Sequence, residues 1–134
     1  MSKLIQNAIK THDGVILISR YTHDYVSHNE YSLDGGNDYI KISYPVDEKY
    51  KYEELFIYED DPIDIAKNKL IWGTFGENKH FKYVKLYDCT IEHLTNILNN
   101  QTISKFYEKV ILYIIDEKIT NLRNNKIKKI MKNV

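Results

Sequence analysis

Apolar and polar positions divide this chain into a strand-rich front and a helical back. Residues 14–19, GVILIS, form a short β-branched apolar run opened by Asp13-Gly14, and they predict a buried strand. Residues 30–33 and 39–44 flank Asp34-Gly35-Gly36-Asn37; two glycines among residues that tolerate positive φ predict a hairpin. Residues 55–58, LFIY, predict another strand ending at the acidic Glu59-Asp60-Asp61. Residues 71–76, IWGTFG, read as a strand entering a glycine-rich turn. Residues 81–87 resume strand character, with Phe81, Tyr83 and Lys85 on one face and Lys82, Val84 and Leu86 on the other.

Helical spacing takes over elsewhere. Asp61 followed by Pro62 predicts an N-cap with proline in the first turn, opening a short helix over 63–70 that buries Ile63, Ala66 and Leu70. Thr90 predicts the cap of a helix carrying Ile91, Leu94, Ile97 and Leu98, interrupted by Asn99-Asn100-Gln101. A second helix is predicted from near Thr102, with Phe106, Val110, Ile114, Ile115 and Ile119 as its stripe. Residues 110–115 are almost continuously apolar, so this helix is expected to be buried on more than one side, by its own sheet and by another subunit. Strands first and helices last predict the α+β class: an N-terminal antiparallel β-sheet followed by two C-terminal helices, the last one long and in an oligomer interface.

The totals narrow the class of protein. The length of 134 residues predicts one domain, 1–134, with no internal repeat or linker. Nineteen basic residues balance nineteen acidic ones, so bulk charge points to neither a nucleic-acid nor a membrane partner. Six basic residues and no acidic one lie between Lys118 and the end, which reads as an anion- or partner-binding tail or, more simply for Lys126 to Lys132, as a solvated helix end. With Cys89 the only cysteine, no intrachain disulfide forms. The first ten residues lack the apolar core of a signal peptide, and no apolar run approaches the ~20 residues of a membrane span, so a cytoplasmic protein is expected. Twelve tyrosines accompany many Asn, Lys and Ile residues; an AT-rich genome imposes that bias, although tyrosine also suits ligand pockets and interfaces.

Catalytic motifs are mostly missing: there is no G-x-S-x-G, Walker loop, H-E-x-x-H or paired-cysteine zinc pattern. His12-Asp13 and His23-Asp24 are the dipeptides that divalent-metal phosphohydrolases use, but His28, His80 and His93 have no metal-ligand spacing to either, and no metal or cofactor is expected. Cys89 has no base nearby and reads as a buried thiol at a strand-to-helix turn. Asp34-Gly35-Gly36 is most simply a turn; its alternative is a nest of backbone N–H groups for a phosphate. In Trp72-Gly73-Thr74-Phe75-Gly76, glycines beside two aromatics either let the backbone approach a ligand whose base stacks on the rings, or serve a tight turn beside core aromatics. Arg20-Tyr21-Thr22-His23-Asp24-Tyr25 supplies a guanidinium, two rings and a histidine, a set suited to a phosphate and a purine.

Taken together, these segments carry a resemblance. ISRYTHDYVSH, residues 18–28, resembles the SRHRHDYVTH opening of a family of small phage proteins. Asp34-Gly35-Gly36-Asn37-Asp38-Tyr39 then matches its DGG-x-DY element, Asp60-Asp61-Pro62 its DDP step, and Trp72 to Gly76 its WG-x-x-G step. Phe81-Lys82-Tyr83 with Leu86, Asp88 and His93 follows its last motif, so the likeness runs in order across roughly residues 12–100. The family is the first described type of Thoeris anti-defence protein. Its members are sponges: they bind the cyclic ADP-ribose isomer that signals phage infection, without cleaving it. Some also sequester cyclic oligonucleotides in a separate pocket, and the family assembles as a hexamer. Tyr21 stands where the family often has a second basic residue, the stretch 77–80 is shorter than usual, and the last helix offers Lys105, Lys109 and then Arg123 where arginines are expected.

The resemblance and the residues together imply a non-enzymatic sponge for a small-molecule cyclic nucleotide messenger, in the host cytoplasm, as a homo-oligomer. Phe75 and Trp72 are expected to stack on adenine, and Gly73 to bring the backbone close. Arg20, Lys82 and Lys105 are expected to neutralise phosphates. His23, Asp24 and Asp34 would orient ribose hydroxyls or neighbouring side chains, with Tyr25, Gly35 and Gly36 completing the site. The rival readings are a metal-dependent phosphodiesterase using the His-Asp pairs on the same messenger, and a phage protein that binds a host protein through its tyrosine-rich face.

Overall fold

The computed structural model describes residues 3–45, 51–75 and 80–132, with side chains through Lys126. Strand β1 (Leu4–Lys10) opens the chain and stands at the centre of its sheet, pairing antiparallel with β2 (Ile16–Ser19) along one edge. On the other edge it meets β6 (Glu53–Glu54) and β7 (Ile57–Tyr58). The hydrophobic pattern predicts no strand here, because Gln6-Asn7 interrupts it. Both of those polar side chains are nevertheless buried, at 3% and 2% exposure. Of the predicted strand over 55–58 only Ile57–Tyr58 is strand; Leu55 and Phe56 separate it from β6, and Leu55 N–H donates to Ala8 O at 3.0 Å.

A second sheet holds β3 (Val26–His28), β4 (Tyr31–Asp34) and β5 (Lys41–Ser43) in that order. The predicted hairpin is β4–β5, with Asp34 opposite Lys41. β3 and β4 are joined by a two-residue turn in which Asn29 and Glu30 both take positive φ, as the twist of a tight hairpin requires. The third sheet is a hairpin of β8 (Ile71–Phe75) and β9 (Phe81–Lys85). Gly76 and residues 77–79, which figure in the resemblance, lie outside the described residues.

The helices follow. Helix α1 (Ile63–Ala66) is shorter than expected, and Asp61 does not cap it: its Oδ2 accepts from Tyr58 N at 2.9 Å, leaving Pro62 at the cap position. After a 3-10 turn at Leu86–Asp88, Thr90 does cap α2 (Ile91–Asn100), its Oγ1 accepting from His93 N at 3.1 Å. The long α3 (Lys105–Lys132) begins three residues later than the pattern predicts, because Ser104 is its cap: Ser104 Oγ accepts from Tyr107 N at 3.3 Å. The chain is therefore α+β, with the strands before the two C-terminal helices. Among the described residues no helix is long and apolar enough to cross a membrane.

The largest core cluster joins helices to strands: Leu94 and Ile97 of α2 and Val110, Ile111 and Ile114 of α3 pack with Leu70 and Leu86. Trp72 and Val84 close this cluster from the β8–β9 side. An ion pair between Lys67 and Glu117, with Tyr87 Oη donating to Glu117 Oε1 at 3.0 Å, ties the α1 region to α3. Ile9, Leu17, Tyr31 and Leu33 form a second cluster between the first two sheets.

Asn7 locks those two sheets together. Its Nδ2 donates to Gly36 O at 2.9 Å and Tyr39 O at 3.0 Å, with Asp34 O at 3.3 Å. Truncating it strands buried carbonyls without a donor, so Asn7→Ala is expected to destabilise the chain by about 2–3 kcal/mol in urea unfolding.

Candidate functional site

The β8–β9 hairpin, the end of β2 and the entry to α3 enclose a groove of about 500 Å³, within the range of small-molecule sites. Arg20, the first residue after β2, reaches into it: one guanidinium nitrogen donates to Tyr83 Oη at 2.6 Å, and the guanidinium carbon lies 5.3 Å from the Tyr83 ring centre. Trp72 and Tyr107 form one aromatic wall, edge to face at 6.0 Å. Tyr107 Oη donates to Ile71 O at 2.9 Å, and burial raises the phenol above its ordinary pKa, keeping it a neutral donor. Phe81 and Tyr83 form the opposite wall, edge to face at 5.1 Å. Thr102 and Ser104 close the end where α3 begins.

Electrostatically the groove is simple. Arg20 is the one charged side chain among its described lining residues, and no carboxylate pairs with its guanidinium among the described residues. Past Ser104, the N–H groups of Lys105 and Phe106 begin a 28-residue helix and have no intrahelical acceptor. A guanidinium with no carboxylate partner among the described residues, in a groove that also takes in a helix start, favours a bound anion.

Gly73 lines the groove as expected, but its lack of a side chain has an intramolecular use as well. A Cβ there would sit 2.4 Å from the Phe81 ring, which lies across Gly73 from the neighbouring strand. Phe75, 70% exposed, does not line this groove. It borders a smaller concavity of about 350 Å³ with His93, Asn96 and Asn100 of α2. Lys82 is exposed and opposite Thr74, on the face of the hairpin away from Phe81 and Tyr83, because strand side chains alternate. Lys105 is exposed at the start of α3 and lines neither cavity; Tyr25 is 65% exposed and also lines neither.

The remaining expected site residues form a separate device. The loop 20–24 and the loop 35–40 interlock around Ser19, whose Oγ accepts from Gly36 N and donates to Asp24 O. Asp24 Oδ2 accepts from Arg20 N at 2.8 Å, and His23, at φ 65°, places Nδ1 3.0 Å from Tyr39 Oη. Tyr39 Oη donates to Asp34 Oδ2, and Asp34 Oδ1 accepts from Gly35 N at 2.8 Å. Gly36 takes φ 54°, and a Cβ there would come within 2.2 Å of the Tyr21 carbonyl carbon. The N–H groups of Gly35 and Gly36 are thus already taken inside the chain, so this turn is not an open phosphate nest. His23, Asp24, Asp34, Gly35 and Gly36 instead set the position from which Arg20 leaves the backbone.

The two His-Asp dipeptides are used differently. Asp24 caps Arg20 N, whereas Asp13 accepts from Thr11 Oγ1 and lies 2.7 Å from His28 Nε2. Among the described residues no three His, Cys, Asp or Glu side chains are grouped to hold a metal ion. Cys89 is buried beside the 3-10 turn, and burial pushes its thiol pKa up. No family model, no curated protein and no solved structure matches the chain. The walls supplied by Tyr83, Tyr107, Thr102 and Ser104 escape sequence reading, because each looks like an ordinary strand or helix-start residue until the hairpin and α3 are brought together.

The Thr11 hydrogen bond and then His28 hold the Asp13 carboxyl at about 2, below its ordinary 3.8. A depressed folded pKa means stabilisation that is complete above the unfolded value and disappears as pH falls from about 4 to about 2. Asp13→Asn is therefore expected to flatten the loss of stability across that window, read as urea midpoints at pH 5, 3 and 2.

Proposed function

We propose that this chain binds and sequesters, without cleaving it, a small anionic cyclic nucleotide of the cyclic ADP-ribose type, with cyclic oligonucleotides as a further ligand class. The observation that carries this reading is Arg20, which has no carboxylate partner among the described residues, in a groove otherwise lined by aromatic rings, hydroxyls and isoleucines. The guanidinium suits a phosphate bidentately, and the rings suit a base. The described walls bring no carboxylate, imidazole, thiol or amine, so they supply no general base for an attacking water. That favours capture over turnover and weakens the phosphodiesterase alternative. The ordered motif resemblance points to the same role, an anti-defence sponge acting in a host bacterial cytoplasm.

The test is chromatography of the small molecules released on denaturing the protein after separate incubations with cyclic ADP-ribose isomers and with cyclic oligonucleotides. Intact messenger recovered in proportion to protein is expected. Recovered cleavage product would overturn sequestration in favour of catalysis, and no recovery of isomers or cyclic oligonucleotides would overturn the reading. Arg20→Ala is expected to weaken binding about 10- to 100-fold by isothermal titration, the magnitude of a lost charge-assisted contact.

The resemblance also implies a homo-oligomer, a hexamer. Leu112 and Leu122, half exposed or more on α3, are the apolar positions we assign to that contact. Replacing both with serine is expected to lower the mass measured by light scattering toward the monomer.

A further inference from the structure

The peptide edge of Gly73 offers the groove a second kind of recognition, and it follows from strand geometry. In an antiparallel pair, alternate residues turn their N–H and C=O toward the partner strand, and those between turn them away. Leu86 N donates to Leu70 O at 2.9 Å, which puts Leu70, Trp72 and Thr74 among the residues bonded to β9. Ile71, Gly73 and Phe75 therefore present their peptide groups to the other edge of β8. Ile71 bears this out: its N–H donates to Gln6 Oε1 at 3.1 Å, and its C=O accepts from Tyr107 Oη at 2.9 Å. Two residues further along, Gly73 points the same way, and no side chain among the described residues bonds its N–H or C=O.

The place where it points is the site. Gly73 and Trp72 line both the groove and the smaller concavity, so the outward edge of Gly73 lies where the two meet. The Phe81 ring lies across Gly73 on one side and the indole of Trp72 stands next to it. A planar ring entering here meets one N–H donor and one C=O acceptor side by side. A peptide strand pairing with this edge is disfavoured, because Ile71 is already closed on both its groups and cannot continue a ladder.

We infer that the Gly73 peptide edge reads the base of the bound nucleotide, selecting a heteroaromatic ring with a hydrogen-bond acceptor beside an exocyclic amine, as adenine has. Gly73 N–H donates to the ring nitrogen, and Gly73 C=O accepts from the amine. Arg20, one Tyr83 ring away from Gly73, and the start of α3 hold the phosphate in the same groove. This assignment rests on the nucleotide reading of the groove and adds the peptide group that reads the base. A Cβ at Gly73 would also displace Phe81, the ring that borders the edge.

The chain has one tryptophan, directly before Gly73, so carbonyl-labelled tryptophan with nitrogen-labelled glycine yields a single assigned amide signal without any substitution. Adenosine 5′-monophosphate and purine riboside 5′-monophosphate, which lacks the exocyclic amine, are the two probes, with Trp72 fluorescence reporting occupancy. The expected result is a downfield shift of the Gly73 amide on adding the adenine nucleotide, and binding of the amine-free nucleotide about 10-fold weaker. Equal binding of the two, Arg20-dependent and without movement of the Gly73 amide, would overturn the base assignment and leave the groove as a nucleotide site. No fluorescence response to either nucleotide at millimolar concentration would overturn both.

Discussion

Burial of Gln6 and Asn7 on the central strand is the constraint from which the rest of the structure follows. A buried primary amide seeks several partners at once. The Gln6 amide and the Asn7 N–H groups find them on backbone from separate parts of the chain, while Asn7 Oδ1 is left without one among the described residues. Gln6 Nε2 donates to Leu55 O at 2.8 Å and Lys69 O at 2.7 Å, while Gln6 Oε1 accepts from Ile71 N. Asn7 gathers the carbonyls around the β4–β5 turn. One strand thereby fixes the β6–β7 segment, the start of β8 and the position of the second sheet. Apolar side chains at 6 and 7 would bury as readily, but would leave five backbone carbonyls and one N–H without these partners.

The candidate site inherits its geometry from the same residues. Gln6 holds Ile71, and with Tyr107 on its other peptide group this sets where the open edge of β8 begins. Asn7 holds the Gly35-Gly36 turn, against which the loop carrying Arg20 is packed through Ser19 and Asp24. The Arg20 backbone is thus fixed by short contacts and its guanidinium rests on Tyr83, with no ion pair among the described residues. Among the described residues no carboxylate neutralises its charge, as the proposed anion capture requires. Preorganisation of this kind lowers the ordering cost of binding and suits capture more than turnover.

The motifs that carry the family resemblance therefore divide by role. Arg20, Trp72 and Gly73 reach the groove; His23, Asp24, Asp34, Gly35 and Gly36 form the interlocked loops behind it. An ordered set of polar and glycine residues in a sequence looks like one binding site. Here much of it lies in the interlocked loops behind the candidate site, since short polar side chains and glycines are also what tight, mutually packed loops demand.

By itself the sequence determined the α+β order, the β4–β5 and β8–β9 hairpins, the Thr90 cap and the apolar stripe of the last helix. These are local: turn chemistry, capping and periodicity act over a few residues and leave their mark there. It also marked Arg20, Trp72 and Gly73, whose chemistry is conspicuous wherever they lie. Only the tertiary structure decided that Leu4–Lys10 is the central strand, since Gln6 and Asn7 break its pattern and are repaid by partners 27 to 65 residues away. Tertiary contacts likewise turned Tyr83, Tyr107 and Ser104 into walls of one groove, and set Lys82 on the opposite face of its hairpin. A side chain's neighbours across sheets and helices depend on packing between distant segments, and no local pattern encodes that.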